Sequence, residues 1–116
     1  MKNYNLSTLK AIGEGSEEFI LKMVSAFIRN TPETILEIKD CLKKNEFADL
    51  AKHAHKIKPS IDLMEIDALK SVIREVESKA KKSDSDGLER LIQYLENKVL
   101  EVIVEVKKEY PNLRLD

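Results

Sequence analysis

The chain has 116 residues, a length that suits one domain, residues 1–116, built around one core. Hydrophobic residues make up 42% and charged residues 35%, with a net charge of −1 and a pI near 6.2, a balance that argues against general nucleic-acid binding. Three glycines and three prolines leave few places for strand turns, and the lone Cys41 has neither a disulfide partner nor metal-ligand spacing around it, which fits a reducing cytoplasm.

The pattern predicts five helices. A short one spans Ser7 to Ile12 and ends at Gly13 and Gly15. Ser16 is a good N-cap for the next, with Glu17 and Glu18 in the first turn. That long helix runs to about Lys44 through Phe19, Met23, Phe27, Ile35, Ile38 and Leu42, and Pro32 is expected to kink or split it, with Thr31 as a cap. Asn45 is placed to cap the third helix. A turn near Glu65 leads into a fourth, carrying Leu69, Ile73 and Val76. Ser78 to Gly87 reads as a frayed end plus a loop, in which Ser83-Asp84-Ser85-Asp86 supplies the next cap. The last helix carries Leu88 through Val106 and ends before Pro111, and the tail from Pro111 to Asp116 is expected to be loosely ordered. Long helices with short connections favour an all-α, antiparallel up-and-down four-helix bundle, with the short N-terminal helix covering one end. No signal peptide or membrane span is visible, since Glu101 and Glu105 break the most apolar stretch, Val99 to Val106.

The third helix holds the residues that look chemical. Phe47, Leu50, Ala54, Ile57, Ile61 and Met64 repeat at three- and four-residue intervals and form a buried stripe. His55 falls on one edge of that stripe and His53 on the other, closer to the core. Lys58 and Asp62 share the edge of His55. Three lysines (Lys52, Lys56 and Lys58) crowd seven residues with no acid between them. A half-exposed neutral imidazole has one ring nitrogen free to attack phosphorus while the other holds the proton. Nearby ammonium groups stabilise the added phosphoryl charge. No glycine-rich phosphate cradle is present, so a nucleotide site on this chain is not expected. His53 reads as a packing or interface histidine. A His53–His55 metal pair is weak, because positions two apart on a helix diverge.

His55-Lys56-Ile57-Lys58-Pro59-Ser60 resembles the signature of histidine-containing phosphotransfer (HPt) domains: a histidine, two variable residues, then lysine, glycine and serine. His55, Lys58 and Ser60 match in register. Leu6 to Ala11, Ser16 to Ile20, Phe27, and the Thr31-Pro32-Glu33 step also read like family members. Two positions depart from the family: Pro59 stands where it has glycine, and Glu65 where many members have glycine. Proline lacks an N–H and so leaves the carbonyl of His55 without its helical partner, which predicts a kink beside His55. Several members carry a glutamine on the next helix that orients the histidine, and an ungapped carry-over places Glu77 there. Two readings of Glu77 stand side by side: a carboxylate that takes the proton of one ring nitrogen, and one more solvated charge.

The resemblance implies a phosphoryl carrier of a multistep two-component relay. His55 would accept phosphate from the aspartate of a receiver domain, often one fused to a hybrid histidine kinase, and pass it to the receiver domain of a response regulator. The receiver would supply the aspartate and a bound Mg²⁺, and this chain would bind no cofactor. Lys56 and Lys58 would face the acidic receiver pocket, around a docking face built from the second and third helices. A cytoplasmic monomer that touches neither nucleic acid nor membrane is expected. The competing class is a helical interaction module that docks a partner without carrying phosphate. A self-contained hydrolase or kinase has little support, because no base–nucleophile set or nucleotide motif appears.

Overall fold

A computed structural model describes residues 2–113 and 115. Five helices appear: α1 (Ser7–Ile12), α2 (Glu17–Lys43), α3 (Phe47–Leu63), α4 (Asp67–Lys81) and α5 (Leu88–Glu109), with no strand among the described residues. The four long helices form a ring in which α3 packs against α2 and α4, and α5 closes it against α2 and α4. Each connection is short, so sequential neighbours run antiparallel, and the apolar stripes meet on the bundle axis. Val24, Ile38, Leu50, Ala54, Ile61, Leu69, Ile73, Val76, Leu95, Val99 and Val102 are fully excluded from solvent there.

α1 covers one end of the bundle. Tyr4, Leu6 and Leu9 join the core, and the N–H of Asn5 donates to the carbonyl of Met64 at 3.0 Å. Acids of α5 secure this segment: Lys2 and Tyr4 both bond Glu109, and Asn3 bonds Glu105. Gly13 is needed for space, because a Cβ there would lie 2.4 Å from Cδ2 of Phe19.

Several local expectations hold and others change. The Ser16 hydroxyl accepts from the N–H of Phe19, capping α2 as read from the sequence. Pro32 does not split α2, which continues unbroken through it. The Ile28 carbonyl loses one helical bond, and packing on both sides outweighs that cost. α3 likewise continues through Pro59. Asn45 is not a cap: it takes the left-handed turn position at φ 56°, and Glu46 precedes α3 without a side-chain cap. Glu65 does the same at φ 48° in the turn between α3 and α4. The Ser83–Asp86 run does not cap α5 either. Asp84 accepts from the N–H of Asp86, and Gly87, at φ 73°, precedes the helix. α4 extends to Lys81, so the loop is shorter than expected. In the tail, Leu113 packs on the core, whereas Arg114 and Asp116 lie outside the described residues.

Candidate functional site

α3 presents His55 outward while its neighbours in sequence hold the helix in place. Ala51 and Ala54 are buried on the turn before it and Ile57 just after it. The imidazole itself is 68% exposed. α4 runs antiparallel alongside and brings up Glu77, whose side chain is only 7% exposed. Oε2 of Glu77 lies 2.8 Å from Nδ1 of His55, and Oε1 lies 2.8 Å from Nζ of Lys58. Lys81, one turn further along α4, puts its ammonium 3.3 Å from Oε2. A buried carboxylate thus gathers three nitrogen donors from two helices.

The charge state follows from these contacts. The hydrogen bond from Lys58 does most to stabilise the Glu77 anion; burial opposes it, and bonds from His55 and Lys81 add to it, so that the carboxyl is pulled down to about 2. Glu77 is therefore ionised at neutral pH and can only accept. Nδ1 of a neutral His55 must carry the proton and donate it, which leaves the lone pair on Nε2, pointing toward solvent. Two further layers support this geometry. Arg74 of α4 forms a two-pronged pair with Asp62 of α3, at 3.1 and 2.7 Å, and holds that carboxyl below its usual range. On the opposite flank of α3, Nε2 of His53 lies 3.4 Å from Glu37 of α2. His53 is partly covered and bridges two helices, as its position near the stripe suggested.

Beside His55 an open cleft of about 560 Å³ lies between α3 and α4, floored by Ala48, Ala51 and Ala80 and edged by Lys52 and Lys81. Of the residues proposed from sequence, His55, Lys58 and Glu77 come together. Lys58 does not face outward toward a partner: its ammonium is spent on Glu77. Lys56 is exposed and pairs with no acid among the described residues, and Pro59 is exposed on the same side of α3. Ser60 stands apart, lining a second cleft with Leu9, Met23, Phe27 and Asn30. Lys81 and the alanine floor were missed. The i,i+4 spacing of Glu77 and Lys81 was the available signal for the lysine. Among the described residues no three His, Cys, Asp or Glu side chains gather where they could hold a metal ion.

The family model for the Hpt domain matches residues 22–105, from early α2 into late α5. The chain belongs to the Hpt domain family. Membership accounts for the four-helix bundle, and α1 lies ahead of the matched residues. Hpt domains carry phosphoryl groups in two-component phosphorelays and interact with receiver domains; they are carriers and not enzymes in the ordinary sense. No curated protein and no solved structure matches the chain significantly. None of the helices among the described residues is long and apolar enough to cross a membrane.

Proposed function

We propose that this Hpt domain carries its phosphoryl group on Nε2 of His55. The observation that carries the reading is the bond from Nδ1 to a buried, ionised Glu77 on a ring that is otherwise exposed. Glu77 fixes the tautomer and the ring plane, so Nε2 is the nucleophile. Transfer forms an N–P bond and breaks the P–O bond to a receiver aspartate, whose carboxylate leaves with the electron pair. The donor is the receiver domain of a hybrid histidine kinase, and the acceptor is the receiver domain of a response regulator. Mg²⁺ belongs to the receiver, and this chain needs no cofactor of its own. Lys56 is free to meet the acidic receiver pocket, while Pro59 shapes the surface beside it and Ser60 lines the neighbouring cleft. The protein acts as one domain, a cytoplasmic monomer.

The test is labelling by a phosphorylated receiver domain, with His55→Gln and His53→Gln as controls. The expected product is an acid-labile, alkali-stable phosphate that disappears only with His55→Gln. Binding of receivers by a folded protein that never takes up label would instead support the docking module without phosphate.

A further inference from the structure

Glu77 offers His55 a charge as well as a hydrogen bond. An uncharged acceptor would orient the ring equally well, but a buried anion 2.8 Å from Nδ1 also favours keeping a proton there. The charged groups around the imidazole come from two helices: Lys52, Lys56 and Lys58 from α3, and Glu77 and Lys81 from α4. α2 faces the other flank of α3, where Glu37 meets His53, and α5 packs against α2 and α4. Glu77 is thus the one anion at this ring among the described residues, and it is shared with two ammonium groups.

The proton matters after the first transfer. When Nε2 attacks phosphorus, the N–P bond forms and the electron pair of the broken bond leaves with the donor. The ring then bears a phosphoryl group on Nε2 and a proton on Nδ1, and is cationic. If the proton stays, the next transfer breaks the N–P bond and expels a neutral imidazole. If it is lost, the same step must expel an imidazolate, a far poorer leaving group. We propose that Glu77 keeps the proton on Nδ1 of phosphorylated His55, holding the ring in its cationic, readily transferred form at neutral pH. Lys58 and Lys81 draw on the same carboxylate and weaken its hold. Glu77 is here a positioning residue acting through His55, and the inference rests on His55 as the phosphoryl carrier.

The experiment needs no receiver. Phosphoramidate gives its phosphoryl group to an imidazole nitrogen and releases ammonia, so it phosphorylates His55 directly in a His53→Gln background. Parent, Glu77→Gln and Lys81→Met are compared, with circular dichroism to verify folding. The nitrogen-15 shift of Nδ1 reports its proton as pH rises, and release of inorganic phosphate reports lability. On the alkaline side of neutrality, Glu77→Gln is expected to lose its proton at lower pH and to release phosphate about tenfold more slowly, because the opposite charge beside Nδ1 is gone. Lys81→Met is expected to move both readouts the other way. A merely structural role does not produce opposite signs. Identical behaviour of the three folded proteins, shifts in the same direction, or failure of phosphoramidate to modify His55 would each overturn the inference. The relay reading fails separately: a protein that shows the opposed shifts yet exchanges with no receiver supports the proton-holding role alone.

Discussion

The ammonium of Lys58 sits 2.8 Å from Oε1 of Glu77, joining α3 to α4 beside the imidazole. Lysine at this place is a structural cation first. Of the three donors that keep this buried carboxylate ionised it contributes most, and so secures the anion bonded to Nδ1 of His55.

Acid is expected to weaken the fold through this pair. The folded carboxyl of Glu77 lies near 2, against 4.5 for the free group. A depressed carboxyl contributes stability that is fully present above the unfolded value and is lost as pH falls from about 4.5 toward about 2. The contribution is on the order of 2 kcal/mol, because solvent around the exposed His55 and Lys81 screens part of it. Urea midpoints measured between pH 7 and pH 2.5 should fall in this window for the parent and fall less for Glu77→Gln. Parallel curves would show that the carboxylate is not held as described.

Lys58→Met is expected to cost about 1–3 kcal/mol, since it leaves a buried carboxylate with one donor fewer. Glu77→Gln/Lys58→Met should cost less than the two single changes summed, because the second removes a penalty created by the first. Chemical denaturation of the four proteins closes the cycle. Simple additivity would mean that the two side chains do not sense each other.

Gly13→Ala tests the end of the bundle. The backbone at Gly13 is ordinary, with φ −84°, so strain there is purely one of space. A Cβ would press on the ring of Phe19, and the expected cost is about 1–3 kcal/mol. Phe19→Leu in the same chain should recover part of that loss, whereas Gly15→Ala meets no atom within 4 Å and is disfavoured only by its left-handed φ of 81°. Thermal melts of the three variants distinguish crowding from conformation.

Periodicity reveals this fold well because each long helix has only one apolar face to bury, and Leu50 to Ile61 or Leu95 to Val106 repeat at helical intervals throughout. Helix ends were harder to read. Asn45 looks like a cap by residue type, but asparagine also tolerates a positive φ, and the three-residue link between α2 and α3 needs that turn more than it needs a cap. Prolines mislead for a related reason. Pro32 and Pro59 each forfeit one hydrogen bond, and long helices locked by neighbours tolerate the loss. At the site, spacing along α3 pointed to His55 and Lys58, but nothing in the sequence decides whether Glu77 is solvated or buried. That depends on how α4 is rotated against α3, which brings Val76 and Ala80 inward and carries Glu77 with them.

Pro59 separates the helix from the reaction. Its side chain is exposed, so replacing it removes little buried surface. Pro59→Ala restores an N–H for the carbonyl of His55 and a better helix former in the interior of α3, and is expected to stabilise the protein by about 1–3 kcal/mol. Pro59→Gly recovers the N–H too, but pays about 1 kcal/mol of the gain back in backbone freedom. Because Pro59 lies one turn after His55, on the surface a receiver would approach if His55 carries the phosphoryl group, the two variants should part in function. Glycine clears the approach most fully and should exchange phosphate with a receiver fastest, with alanine between glycine and proline. Single-turnover transfer measured beside thermal melts gives both orders. If transfer instead follows stability, with alanine fastest, the proline acts through the hydrogen bond it denies the carbonyl of His55 and not through its bulk.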